Sequence, residues 1–323
     1  MVSAMMDIKK NERRAVVATF LTLFGILAGH TILETARDAY FIGNLPVDHL
    51  PFVYLATACL AWMVILRDHG NPGRRGLVVW LWCAAAVTLL FYFLTGEPET
   101  WVFYALYVWS GFFISVSIGH FWLVLGRLFS IEQAKRLFSV IAVGSVLGAI
   151  AGAGLAAFLA TTIGVREMLL AAAVCFAVTA TGPLLIKGTG LHWETRSVGI
   201  KSVAAMRMVL DHPYMSRMAV LAMVSTITFT LVDYVFKAQV ALHVAPEELP
   251  TFFALFYTVL NLLGLLAQVL LTGAALQVLG VQRSLWILPI LLVAGSSFLV
   301  MGIGLTAALA LKGAEGSLKH TLH

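Results

Sequence analysis

Nine apolar runs, each near or above the ~20 residues that cross the hydrocarbon core of a bilayer, leave this chain few ways to fold in water. They fall at 15–43, 49–66, 76–95, 101–125, 137–160, 165–186, 213–241, 251–272 and 285–309. Only 11% of the 323 residues are charged and 60% are hydrophobic, whereas a soluble domain carries about 25% charged residues. In lipid the backbone must satisfy its own hydrogen bonds, and helices do so within one segment. The expected fold class is therefore an all-α membrane helix bundle.

Orientation follows from the basic residues. Alternating the runs across the membrane puts 16 of the 21 Lys and Arg on the side of the N-terminus, among them Arg13, Arg14, Arg67, Arg74, Arg75, Arg127 and Arg136. The opposite loops hold Arg166, Lys312 and Lys319, and Arg37 and Lys237 lie within runs. The excess of positive charge on cytoplasmic loops places the N-terminus in the cytoplasm. The net charge of +5 is thus a topology signal, and no nucleic-acid partner is expected. The first run is too long for a cleaved signal core. Cys59, Cys83 and Cys175 all fall in runs with no metal-ligand spacing, and read as small buried hydrophobes.

Two runs carry charges at matched places. Glu34-Thr35-Ala36-Arg37-Asp38 in the first corresponds to Asp233-Tyr234-Val235-Phe236-Lys237 in the seventh. Glu34 pairs with Asp233, Asp38 with Lys237, and Leu50-Pro51 with Leu249-Pro250, all 199 residues apart. A charge at the centre of a membrane helix costs about 2.5–3.5 kcal/mol on insertion scales. Bearing that cost twice, at equivalent positions, suggests a transporter with a charged central cavity. The organisation expected is a six-span half over 1–186, a cytoplasmic linker over 187–212, and a second half over 213–323. Ile200, Val203, Met206 and Leu210 give the linker a weak apolar stripe, as in a short surface helix. Two parallel six-span repeats are the plan of the major facilitator superfamily. On that plan the second half stops after spans 7–9 and the start of a tenth, so the chain is expected to be a fragment.

Several segments resemble the ATP/ADP translocase family, the nucleotide transporters of plastids and obligate intracellular bacteria. Thr35-Ala36-Arg37-Asp38 with Leu45-Pro46 and Leu50-Pro51 resembles its first span. Phe121-Trp122, Glu132 to Phe138 and the glycines through Gly144 and Gly148 resemble its fourth and fifth spans. Leu231 to Ala238 resembles its seventh, and Lys312 to His323 the start of its tenth. The resemblance implies a major-facilitator-like fold, a bacterial inner-membrane location, and transport of nucleotides or related phosphorylated anions, often by exchange. Three departures stand out. Arg37 replaces the family's usual lysine, Arg127 aligns with an acidic residue of adenylate exchangers, and Phe236 replaces a characteristic tryptophan.

The candidate substrate-binding residues are Arg37, Lys237, Asp233, Asp38 and Glu34. His30, Glu34, Arg37 and Asp38 share one helical face by spacing. A guanidinium forks onto phosphate or carboxylate oxygens, and an ammonium binds phosphate as a point charge. The competing reading is a salt bridge at the outer membrane edge, with Lys237 snorkelling to the surface. His30, His120, Arg127, Asn261 and Gln268 are candidates for the cavity wall or a gate; interhelical hydrogen bonds explain His120, Asn261 and Gln268 as readily. The charges of the 126–136 loop read as topology anchors or as a gate. Gly144, Gly148 and Gly152 suit close packing of two helices, and Trp80, Trp101 and Trp286 suit an aromatic belt.

No nucleophile–base set, metal cluster or phosphate-activating motif is visible, so no enzymatic activity and no cofactor are expected. The leading expectation is a secondary transporter of a small anionic, nucleotide-like solute. Its rivals are a proton-coupled carrier of another organic anion or drug, and a transporter-like sensor or anchor acting on a soluble domain beyond His323.

Overall fold

The computed structural model describes residues 12–67, 73–185 and 211–278, with side chains at 65–67, 135 and 267–278 outside the described set. Regular structure among them is helical throughout. Eight helices follow in order: α1 (Arg13–Asn44), α2 (Leu50–Arg67), α3 (Arg74–Leu94), α4 (Thr100–Leu128), α5 (Ile131–Thr162), α6 (Val165–Thr179), α7 (Pro213–His243) and α8 (Leu249–Val278). Single 3₁₀ turns stand at Val47–His49 and Gly182–Leu185. Eight segments are long and apolar enough to cross a membrane. The protein is an all-α, multi-pass membrane protein. The ninth run (285–309) and nearly all of the 187–212 linker lie outside the described residues.

The breaks between helices have local causes. Leu45 is extended and precedes Pro46, and the residue before a proline is pushed out of the helical region. Pro51 and Pro250 stand in the first turns of α2 and α8, where a missing N–H is harmless. Ser130 opens α5 with a capping box: its hydroxyl accepts from the Gln133 N–H, and the Gln133 side chain accepts from the Ser130 N–H. Gly164, at φ 127°, turns the chain between α5 and α6. That conformation strains any residue with a Cβ.

α1 is the central element. Its membrane window is 72% buried, against 11% for those of α2 and α7. It packs most extensively on α5 and α6, and also on α4 and α8. The α1–α5 contact depends on glycine. A Cβ at Gly144 would meet the Phe20 carbonyl oxygen at 2.7 Å, and at Gly148 and Gly152 it would run into the backbone of Phe24 and Ala28. Small residues at this spacing let backbones touch. α8 packs on both α5 and α1, so spans 7 and 8 are bound to the first six. One apolar cluster at that junction joins Ala39, Ala153, Phe236, Val240, Phe253 and Tyr257.

Two sequence expectations are corrected here. Cys59 and Cys83 are exposed on the outside of the bundle rather than buried, and Cys175 is only half-buried. In lipid an outward apolar side chain carries no penalty, as with exposed Phe52, Trp62, Val79 and Trp82. Trp80 does not join an interfacial belt. Its indole donates to Ser117 Oγ at 2.8 Å, among Trp109, Phe112, Phe113 and His120. Trp101 is exposed and donates to Glu99. Trp286 lies outside the described residues. In the 126–136 loop, Arg136 Nη2 reaches Glu12 Oε2 at 2.9 Å and Gln133 Nε2 reaches Glu12 Oε1 at 2.8 Å, tying the start of α5 to the start of α1.

Candidate functional site

The five charged residues of the two matched segments form one connected lattice. On α1, Arg37 Nη2 lies 3.0 Å from Glu34 Oε1 and Arg37 Nε lies 3.2 Å from Asp38 Oδ1. On α7, Lys237 Nζ lies 2.9 Å from Asp233 Oδ2, one turn away. The two helices are joined by Lys237 Nζ and Asp38 Oδ1 at 3.0 Å.

Polar groups from other helices complete the lattice. Tyr107 OH accepts from Lys237 Nζ at 2.7 Å, and Ser110 Oγ accepts from Arg37 Nη1 at 3.2 Å, both from α4. Tyr257 OH of α8 donates to Asp38 Oδ2 at 2.6 Å. Tyr54 OH of α2 donates to Asp233 Oδ2 at 2.7 Å. The Arg37 guanidinium lies over the Tyr107 ring, 4.5 Å from its centroid, an attractive cation–π geometry. An ammonium has three donors, and Asp38, Asp233 and Tyr107 take all three. Asp38 is fully buried and Lys237 is 1% exposed. Charges this dry persist only when paired and hydrogen-bonded.

Helix geometry fixes the depth of the lattice. Arg37 is seven residues from the end of α1 and Lys237 six from the end of α7. At 1.5 Å per residue both sit about 10 Å from those ends. The lattice therefore lies nearly two turns inside those helix ends rather than at them.

A cavity of about 600 Å³ adjoins it, bounded by α1, α2, α4 and α7. Glu34, Arg37, Tyr54, Tyr107 and Asp233 form one end. From there the wall runs through Thr57 and Ala61 of α2, Gly111 and Ser115 of α4, and Thr226 and Ala222 of α7. α2 and α4 run opposite to α1, and α7 runs with it. All of these residues therefore lie on the side of the lattice where α1 begins. The wall extends along α7 for about 16 Å from Asp233 to Ala222. On the other side of the lattice the chain closes over. Tyr234 OH donates to Asp48 Oδ1 at 3.3 Å, and His49 Nδ1 contacts Tyr104 OH.

The wall has a definite polarity. Among the described residues Arg37 is the cation on it, beside the carboxylates of Glu34 and Asp233. Thr57, Ser115, Thr226 and Thr230 donate their hydroxyls to carbonyls on their own helices, leaving oxygen lone pairs for a ligand. Lys237 does not reach the wall; its place is between the helices.

The remaining candidates are spread out. His30 sits one turn below Glu34, Nε2 to Oε2 3.8 Å, behind the wall. His120 packs edge-on to Trp80, and Asn261 Nδ2 donates to the Tyr257 carbonyl at 2.7 Å. Arg127 stands in the last turn of α4. None of these three lines the cavity. The Gln268 side chain lies outside the described set. Sequence reasoning missed Tyr54, Tyr107, Ser110 and Tyr257, because a tyrosine in an apolar run looks like packing until its hydroxyl is seen on a charge. No family model matches this chain, and no curated protein matches it.

Proposed function

We propose that the protein is a secondary transporter that carries a small anionic solute, nucleotide-like or otherwise phosphorylated, by alternating access. The observation that carries this reading is Arg37. It is the cation on the cavity wall, and its cavity-side partner, Glu34, lies on its own helix one turn away. A solute oxyanion can take the place of Glu34 on the guanidinium fork without unwinding any backbone. Asp38 and Ser110 hold the other edge of the guanidinium throughout.

The bridge between Lys237 and Asp38 supplies the moving part. It crosses from span 7 to span 1 and closes the cavity at one end. The distribution of Lys and Arg makes the open end cytoplasmic, so this conformation faces inward, in a bacterial inner membrane on the family resemblance. Outward opening breaks Lys237–Asp38, Tyr257–Asp38 and Tyr54–Asp233 together. Lys237 keeps Asp233, one turn below it on the same helix, so no bare charge is left behind.

The test is uptake of radiolabelled ATP, ADP or inorganic phosphate into proteoliposomes holding the full chain. Arg37→Ala is expected to abolish uptake and Arg37→Lys to retain part of it. Undiminished uptake by Arg37→Ala would end this reading.

A further inference from the structure

The lattice carries an uneven charge: Glu34, Asp38 and Asp233 against Arg37 and Lys237. The surplus is one negative charge in a part of the protein where desolvated charge is costly. Of the three carboxylates, Asp38 is fully buried between two cations and Tyr257, and Asp233 is shared by Lys237 and Tyr54. Glu34 is the most exposed, at 27% of its side chain, and it faces the cavity. Its Oε1 meets Arg37 and its Oε2 faces His30.

His30 is unusual in its own right. The residue is 7% exposed, and its Nδ1 is buried with no hydrogen-bond partner. α4 brings the Phe113 ring beside the imidazole, and on neighbouring positions of α1 the packing from α6 is Phe176 at Gly29 and the Cys175 thiol on the Gly25 carbonyl. Among the described residues, the charges acting on the imidazole are Glu34, Arg37 and Asp38, all on α1. A neutral imidazole has one acceptor nitrogen. Here it is either Nδ1, buried without a donor, or Nε2, turned toward a carboxylate oxygen. With the hydrogen on Nδ1, the Nε2 lone pair faces the Glu34 carboxylate, and a proton placed between the two is shared by both.

We propose that Glu34 and His30 together form a binding site for one proton, taken from cavity water, and that this proton accompanies the solute. The coupling rests on the transport reading above; the proton site itself does not. In the balanced step the Arg37 Nη2–Glu34 Oε1 contact breaks and an Arg37–oxyanion contact forms. The released Glu34 shares the incoming proton with His30. Without that proton, an anion seated on Arg37 would stand beside Glu34, a carboxylate left without its cation. With it, the lattice alone is neutral and accepts an anion. Reversal on the other membrane face returns Glu34 to Arg37 and releases the proton. With one proton per cycle, a pH gradient of one unit sustains about a tenfold accumulation of solute.

Two measurements test this. In the first, the full chain is labelled with ¹⁵N-histidine, placed in lipid nanodiscs and followed by NMR as pH is varied, without solute. Among the resonances of the nine histidines, one titrating signal is expected to vanish in His30→Asn and to shift its midpoint in Glu34→Gln, with both variants checked for folding by thermal melting. An assigned His30 signal that stays constant over the range where the protein is folded overturns the site. In the second, ATP and phosphate uptake into proteoliposomes is compared with and without an acid-outside gradient. Stimulation of the wild type that is lost in both Glu34→Gln and His30→Asn supports coupling. Equal stimulation of all three proteins overturns it. A wild type that takes up neither probe while His30 titrates supports the proton site and counts against the transport reading alone.

Discussion

Lys237 Nζ lies 3.0 Å from Asp38 Oδ1, and these two residues occupy equivalent positions of the sequence correspondence, 199 residues apart. Each helix supplies the counter-charge at the place where the other supplies the charge. The local partners are Asp233, one turn from Lys237 on α7, and Arg37, next to Asp38 on α1. This arrangement makes the bridge a joint between span 1 and span 7 and gives each side of the joint a local partner when it opens.

Removing one member of the joint should be costly. Lys237→Met leaves Asp38 and Asp233 without their ammonium in a dry environment. Losing one partner of a buried pair costs about 3–5 kcal/mol. The double variant Asp38→Asn, Lys237→Met should recover part of that loss. Thermal melting in detergent checks it, and purely additive losses would contradict direct coupling.

The tyrosine hydroxyls should be graded by burial. Tyr257→Phe removes a donor from fully buried Asp38 Oδ2, and a hydrogen bond to a charged group contributes about 1.5–3 kcal/mol. Tyr54→Phe removes the corresponding donor from Asp233, whose side chain is 20% exposed and faces the cavity, so the loss should be smaller. Melting curves of the two variants measured side by side decide the order.

Glycine substitutions in α5 should split sharply. Gly148→Ala pushes a methyl into the backbone of Phe24, and overpacking of this kind costs about 1–3 kcal/mol. Gly154→Ala meets nothing within 4 Å and gains helix propensity, worth up to about 1 kcal/mol. The melting temperature should therefore fall in the first variant and hold or rise in the second.

The one-sided cavity predicts one-sided chemistry. In a background lacking Cys59, Cys83 and Cys175, Thr226→Cys and Ser115→Cys should react with an impermeant thiol reagent from the membrane face where α1 begins, in inverted vesicles. Tyr234→Cys, on the far side of the lattice, should react from the opposite face. Equal labelling of all three from both faces would contradict a closed outer end.

Much of the architecture is legible because lipid forces it. The run at 15–43 became α1 (Arg13–Asn44) and the run at 213–241 became α7 (Pro213–His243), since length and apolarity alone define a crossing helix. α5 began earlier than its apolar run implied, at Ile131. The capping box at Ser130 extends the helix through the charged residues Glu132 to Arg136, which hydropathy excludes. The glycine spacing of α5 was likewise readable as close packing.

That these helices cross a membrane, and that charges sit at matched places within two of them, can be read along the chain, because a charge in an apolar run is conspicuous whatever surrounds it. Where each charge points emerges only once the helices pack. Arg37 and Lys237 look equivalent along the chain, yet one faces a cavity and the other is enclosed by Asp38, Asp233 and Tyr107. The orphaned His30 nitrogen and the tyrosine hydroxyls are likewise invisible before the helices meet. Periodicity records which residues share a face of one helix, but the function of a buried charge depends on groups that other helices bring to it.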